Sequence, residues 1–134
     1  MKFNSLVPEL YVLDFQKSII FYTAILEFTI EYQRENPKFA FLSYQESQLM
    51  LELNNSKNQD WHTDELEYPF GRGINFQIRT DNAQRLVDKL KAANYPLKME
   101  LKDSCYKVGD RVYGYRQFLV MDPDGYLLRF SQPL

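Results

Sequence analysis

The sequence has one cysteine and one histidine among its 134 residues, and these scarcities exclude several protein classes. A lone Cys105 cannot form an internal disulfide bond, which fits a reducing compartment. With His62 as the single histidine, no zinc-finger spacing is available. No apolar run approaches the roughly 18–20 residues of a membrane span. The first ten residues, MKFNSLVPEL, lack the basic and apolar regions of a signal peptide. We therefore expect a cytoplasmic protein with no membrane partner.

An excess of positive charge is also missing. The formal net charge is −2, so broad electrostatic capture of nucleic acid is disfavoured and no nucleic-acid partner is expected. Aromatic residues, in contrast, are abundant: ten Tyr, ten Phe and one Trp make up 16% of the chain. Such a composition argues against disorder, and the length suits one domain or two small fused repeats.

The first half of the chain reads as a strand, a helix and three more strands. Residues 6–12 are rich in β-forming side chains, and Asp14 then stands where a helix N-cap is expected. Apolar residues recur with helical spacing from Phe15 to Leu26. Three strand-like runs follow, over residues 28–35, 39–44 and 48–53.

The second half repeats this order. A strand over residues 73–79 precedes an amphipathic helix, and further strands are expected over residues 97–102, 113–121 and 126–132. The two halves align at offsets of about 66 residues, which indicates two copies of one βαβββ unit. We predict one module at 1–53, a second at 73–134 and a polar loop over 54–72 between them. The helix covers one face of each sheet and leaves the other for another purpose.

Five short motifs are distributed over the two modules. They are Val12-Leu13-Asp14-Phe15-Gln16-Lys17-Ser18, Phe21-Tyr22, Leu26-Glu27-Phe28, Tyr113-Gly114-Tyr115-Arg116-Gln117-Phe118 and Asp122-Pro123-Asp124-Gly125-Tyr126-Leu127-Leu128-Arg129-Phe130. Together they resemble the vicinal oxygen chelate superfamily, which includes glyoxalase I, extradiol dioxygenases, and fosfomycin- and bleomycin-resistance proteins. The resemblance covers nearly the whole chain outside the loop. It implies an α+β fold in which the tandem modules form a cupped mixed sheet with the helices on its outer face.

The metal-ligand positions that the resemblance implies are mostly lost. They correspond to Val7, Glu52, Gly73 and Arg129, of which Glu52 alone can bind a metal. A divalent ion needs several oxygen or nitrogen donors at one point, so we expect neither a metal nor another cofactor. Metal-assisted isomerisation or dioxygenation is correspondingly disfavoured.

The chain is instead similar to the metal-free, bleomycin-resistance branch, whose opening resembles Val7-Pro8-Glu9-Leu10. This resemblance implies a binding protein without catalytic residues. It also implies a homodimer that sequesters a cationic, planar-ringed glycopeptide drug of the bleomycin class in a groove between subunits. The replacement of the family's Trp and Glu by Tyr113 and Gln117 weakens the assignment of that particular drug.

Strand alternation and the resemblance together give a set of candidate ligand-binding residues. Alternation places seven of them on the sheet faces turned away from the helices. Trp61 of the loop and Phe39, as a ligand platform, are further candidates. The resemblance adds three residues of a groove-bordering segment on the strand over 113–121. The set is Glu9, Tyr11, Phe39, Met50, Glu52, Trp61, Asn75, Gln77, Tyr113, Tyr115, Arg116 and Arg129. Such a polar surface of mixed charge suits hydrogen bonding to a medium-sized organic ligand.

Three interpretations of Glu52 remain open. It could form an ion pair with Arg129 where relatives hold a metal. It could attract the amine of a ligand. As a catalytic carboxylate, with Glu9 as the available second group, it would make the chain a glyoxalase-like lyase, isomerase or dioxygenase. Whether the chain is an enzyme therefore stays open, with binding favoured.

The loop over 54–72 also has alternative interpretations. It could be a solvated connector, a flap in which Trp61 stacks on a cationic ring, or a dimer contact. Phe39 could belong to the core or to a ligand platform. Cys105 is interpreted as a passive thiol, and Asp122 and Asp124 as turn residues.

Overall fold

The computed structural model describes residues 2–134, apart from the side chains of residues 57 and 58. The chain divides into two compact units, one ending at Phe70 and one beginning at Gly71. Each unit contains one four-stranded mixed sheet and a helix, so the predicted α+β class with tandem modules is confirmed.

The first unit has the predicted βαβββ order. Its sheet runs β1-β4-β3-β2, with β1 parallel to β4 and the other neighbours antiparallel. The elements are β1 (Glu9–Val12), α1 (Phe15–Ile20) with a π-helical continuation (Phe21–Ile25), β2 (Thr29–Arg34), β3 (Phe39–Tyr44) and β4 (Ser47–Leu53). A 3₁₀ helix (Ser56–Trp61) follows inside the predicted loop.

Helix α1 begins where the sequence predicts. The Asp14 carboxylate accepts a hydrogen bond from the backbone N–H of Lys17 at 3.1 Å, which satisfies a donor that the first turn leaves free. Ser18 and Tyr22 are fully buried along the helix, and Leu51 is fully buried in the sheet. The helix-covered face of this sheet is therefore the first module's core.

The second unit repeats this arrangement with longer strands. Its sheet runs β5-β8-β7-β6, with β5 parallel to β8. The elements are β5 (Asn75–Arg79), α2 (Ala83–Ala92), β6 (Met99–Val108), β7 (Arg111–Met121) and β8 (Leu127–Pro133).

Side chains of the second unit satisfy backbone groups at a helix start and at a turn. Asn82 caps α2 by accepting from the Arg85 backbone N–H at 3.0 Å. Asp122 is buried between β7 and β8, and its Oδ1 accepts from the backbone N–H groups of Asp124 and Tyr126, both at 2.9 Å. Its role as a turn residue is confirmed.

Two strand boundaries differ from the sequence-based ones by three residues or more. Strand β1 begins at Glu9 rather than residue 6, because Pro8 has no backbone N–H for a ladder. Strand β6 continues to Val108, six residues beyond the predicted end, and forms a hairpin with β7 through Gly109, whose φ is +61°. Among the described residues, no helix is long and apolar enough to cross a membrane.

Candidate functional site

The helix-free face of the second sheet contains a small pocket. Its volume is about 220 Å³, below the roughly 300–1,000 Å³ of a typical complete ligand site. It is lined by strands β5 to β8 through Gln77, Tyr106, Val108, Tyr113, Tyr115, Gln117, Arg129 and Ser131. The pocket therefore has room for a small ligand or for one group of a larger one.

Arg129 is the charged side chain of this pocket. Strand register places it beside Gln77, whose Oε1 accepts from Arg129 Nη2 at 2.9 Å. Arg129 Nε is buried and has no hydrogen-bond partner among the described residues. Arg129 as a residue lines the pocket, and its guanidinium has donors and no acceptor. It therefore favours a ligand group that carries acceptor oxygens.

Gln117 organises the other side of the pocket. It is buried at 3% exposure, its Oε1 accepts from Ser131 Oγ at 3.2 Å, and its Nε2 donates to Tyr106 Oη at 2.8 Å. The Tyr106 oxygen therefore acts as an acceptor in this pair. Its own proton is left to donate elsewhere.

The helix-free face of the first sheet has a different chemistry. Strand register brings together the five predicted residues of this module: Glu9, Tyr11, Phe39, Met50 and Glu52. The Tyr11 hydroxyl donates to Glu9 Oε1 at 2.6 Å. Phe39 is buried, and the Arg34 guanidinium lies 4.1 Å from the centre of its ring. This face is therefore aromatic and carries two carboxylates.

The loop over 54–72 reaches this first face through His62. Its ring meets that of Tyr11 edge-on, with ring centres 4.6 Å apart, and its Nε2 is buried without a hydrogen-bond partner in the part of the chain that the structure describes. The neighbouring Trp61 is 76% exposed. This exposure is compatible with a flap or with a dimer contact, so both remain predictions.

The metal-ligand positions of the resembled superfamily do not fit a metal in this chain. Val7 and Gly73 offer no side-chain donor, and the guanidinium of Arg129 repels a cation. Within the described part of the chain, no group of three or more His, Cys, Asp or Glu side chains could hold an ion. Glu52 and Arg129 belong to different units, and their ion pair stays a prediction.

Arg116 is a predicted site residue that the structure does not bring to the pocket. It lies on the opposite face from Tyr115, and its Nε and Nη2 donate to the Asp103 carboxylate at 2.8 and 3.1 Å. This hydrogen bonding lowers the pKa of Asp103 and raises that of Arg116. Asn75, Gln77, Tyr113 and Tyr115 do share the helix-free face with Arg129.

Four pocket residues are absent from the predicted set: Tyr106, Val108, Gln117 and Ser131. Tyr106 and Val108 were missed because the predicted counterpart of β6 ends at residue 102. The Gly109-Asp110 pair between two β-forming runs is a typical hairpin signal and could have found the extension. Alternation from Arg129 already places Ser131 on the same face.

Comparison with known proteins supplies a family. Residues 2–130 match the profile of the Glyoxalase/Bleomycin resistance protein/Dioxygenase superfamily. A member of that superfamily from Vibrio splendidus 12B01 is 30% identical, over 94% of this chain and 95% of its own, with a TM-score of 0.43. No curated protein matches the sequence.

Two further solved structures share the fold at low identity. TioX from Micromonospora sp. ML1 is 16% identical with a TM-score of 0.73, over 98% of this chain and 99% of its own. The fosfomycin resistance protein FosX from Listeria monocytogenes is 18% identical with a TM-score of 0.63, over 98% of this chain and 94% of its own.

Proposed function

Since this chain belongs to the Glyoxalase/Bleomycin resistance protein/Dioxygenase superfamily, as its motifs predict, we propose that it binds a small organic molecule without the aid of a metal. The bound molecule is sequestered rather than transformed. The superfamily contains both enzymes and resistance proteins, so membership alone does not separate binding from catalysis.

The observation that carries this proposal is Arg129 in the pocket of the second sheet. It occupies one of the positions where the resemblance implies a metal ligand, and its guanidinium cannot coordinate a cation. Instead it is held by Gln77 and lines the pocket. A fixed cation in a pocket wall is suited to hold part of an organic ligand.

The more specific proposal is binding of a cationic drug of the bleomycin class in a groove completed by a second copy of the chain. Glu9 and Glu52 on the first sheet support it, because carboxylates beside aromatic rings attract planar cations. The small volume of the pocket supports the dimer, since about 220 Å³ cannot contain a glycopeptide.

Isothermal titration with metal-free bleomycin in the presence of EDTA tests this proposal. We expect a saturable heat of binding at micromolar drug, unchanged by EDTA, and a dimer by light scattering. Glu52→Gln is expected to weaken binding about tenfold or more through loss of a charge-assisted contact, whereas Glu46→Gln, in an exposed turn, should not. Absence of heat removes the bleomycin assignment, and a monomer removes the shared groove.

The alternative is a glyoxalase-like lyase, isomerase or dioxygenase that uses Glu52. The arrangement that favours it is the register of Tyr11 beside Glu52, with the Tyr11 hydroxyl donating to Glu9 at 2.6 Å. Two carboxylates and a phenol on one face could divide the roles of acid and base. Stoichiometric zinc, nickel, manganese or iron in the purified protein would favour this alternative over sequestration.

A further inference from the structure

The pocket of the second sheet has one sign of charge. Among its lining side chains Arg129 is charged, and the others are glutamines, tyrosines, a valine and a serine. No acidic residue therefore neutralises the guanidinium from within this lining. A guanidinium that is partly withdrawn from water and lacks a carboxylate attracts an anion.

The hydrogen bonds around the pocket give it a second preference, for ligand groups that accept hydrogen bonds. Three side-chain oxygens around it already accept: Gln77 Oε1 from Arg129, Gln117 Oε1 from Ser131, and Tyr106 Oη from Gln117. One donor beside them is not used: the Tyr106 hydroxyl proton donates to no group among the described residues. The Arg129 guanidinium also lines the pocket, and it can donate hydrogen bonds but cannot accept them.

Aromatic rings form the remaining walls. The ring centres of Tyr106 and Tyr115 are 6.0 Å apart, with planes inclined at 55°, and Tyr113 lines the same pocket. These rings offer flat apolar surface next to the Arg129 side chain and the Tyr106 hydroxyl. A planar ring system can pack against them while an attached oxyanion reaches Arg129.

We propose that this pocket takes an aromatic carboxylate, either as a small free acid or as one group of a larger ligand. The carboxylate oxygens accept from the Arg129 guanidinium and from the Tyr106 hydroxyl, and the attached ring packs on the tyrosines. This inference rests on the proposed function, because it names the chemical group that the binding site selects.

Three matched naphthalene probes test the inference on the unaltered protein. Isothermal titration compares 2-naphthoate, its neutral isostere 2-naphthamide and the cation 2-naphthylmethylamine. Because a hydrogen bond to a charged group is worth more than a neutral one, we expect the acid to bind about tenfold or more tightly than the amide, and the amine least tightly. Equal or tighter binding of the amide or the amine overturns the inference.

Substitutions locate the effect. Arg129→Gln should weaken 2-naphthoate binding about tenfold or more and leave the affinity for 2-naphthamide nearly unchanged. Arg85→Gln removes the same charge from an exposed position on helix α2 and should leave the affinities for both probes unchanged. Tyr106→Phe keeps the ring and removes one donor, so we expect a loss of a fewfold. If Arg129→Gln does not fold, Tyr106→Phe and the three-probe comparison still decide.

The outcomes separate this inference from the proposed function. Bleomycin binding without naphthoate binding overturns the carboxylate pocket and leaves sequestration standing. Loss of naphthoate affinity in Arg85→Gln as great as in Arg129→Gln shows that overall charge is responsible, which also overturns the pocket. Binding of naphthoate alone supports the pocket and removes the bleomycin assignment.

Discussion

The helix-free faces of the two sheets have the same backbone arrangement and carry opposite charges at one equivalent position. In the first sheet the parallel pair β1–β4 sets Tyr11 beside Glu52, and in the second the parallel pair β5–β8 sets Gln77 beside Arg129. The same place in the repeated module thus holds a carboxylate once and a guanidinium once. The duplicated backbone determines where a site lies, and side chains determine which ligand chemistry it accepts.

Each face is associated with a buried nitrogen that has no hydrogen-bond partner among the described residues. At the first face the Tyr11 hydroxyl donates to Glu9, but His62 Nε2, in the ring that meets Tyr11, is unpaired. On the second face Arg129 Nη2 donates to Gln77, but its Nε is unpaired. The two faces therefore differ in the charge at their equivalent positions rather than in how completely their polar groups are satisfied.

The largest effect that we expect concerns the cores behind these faces. Phe118 is fully buried and stacks on Phe130 with ring centres 5.2 Å apart. Phe118→Ala should lower the free energy of unfolding by about 3–5 kcal/mol, through lost burial and a cavity. Leu42→Ala, fully buried in the first sheet, should lower it by about 2–5 kcal/mol.

Denaturant unfolding followed by circular dichroism measures both changes, with Val112→Ala as the control. Val112 is 64% exposed on β7, so its truncation should alter the free energy by less than about 0.5 kcal/mol. Losses for Phe118→Ala or Leu42→Ala no greater than that of Val112→Ala would show that the assigned cores do not stabilise the modules.

The next effect compares how much the turn before the last strand of each module contributes to stability. Asp122→Ala leaves two backbone N–H groups of the buried β7–β8 turn without their acceptor, so we expect a loss of about 1–3 kcal/mol. Glu46→Ala in the exposed β3–β4 turn removes no comparable acceptor and should cost less than about 0.5 kcal/mol. Thermal unfolding of the two variants checks the contrast, and equal midpoints contradict it.

Much of the fold could be predicted because local signals agreed with the repeat. Asp14 and Asn82 cap the helices, and the alternation of Leu49 and Leu51 with Met50 and Glu52 gave the buried face of β4. The extension of β6 to Val108 was missed, since its polar residues conceal a strand that the Gly109 turn makes possible.

The candidate site was harder to predict from the sequence than the fold, because it depends on which residues are neighbours across adjacent strands. Alternation correctly grouped Gln77 with Arg129, but the Gln117–Tyr106 hydrogen bond joins residues on β7 and β6 whose register was not predicted. The resemblance placed Arg116 in the groove, whereas strand alternation turns it away from Tyr115 and toward Asp103. Register, rather than residue type, decides such contacts.

The smallest effect sharpens a comparison of two arginines on opposite faces of the second sheet. Arg116 has a carboxylate partner in Asp103, whereas Arg129 has no carboxylate partner among the described residues and contacts Gln77 instead. Hydrogen bonding to Arg116 lowers the folded-state pKa of Asp103 below the ordinary value of about 3.9. Such a pair stabilises the fold above the unfolded-state pKa, and this contribution disappears as the pH falls through the lowered folded-state pKa.

Asp103→Asn should therefore lower the midpoint of thermal unfolding slightly at neutral pH, and the difference from the unaltered protein should vanish in strong acid. Both side chains are substantially exposed, so the difference should also shrink in 1 M salt, where the screening length is about 3 Å. Asp110→Asn, in the turn of the same hairpin, should show no such pH-dependent difference. A difference for Asp103→Asn that persists in acid would mean that the carboxylate contributes through packing rather than charge.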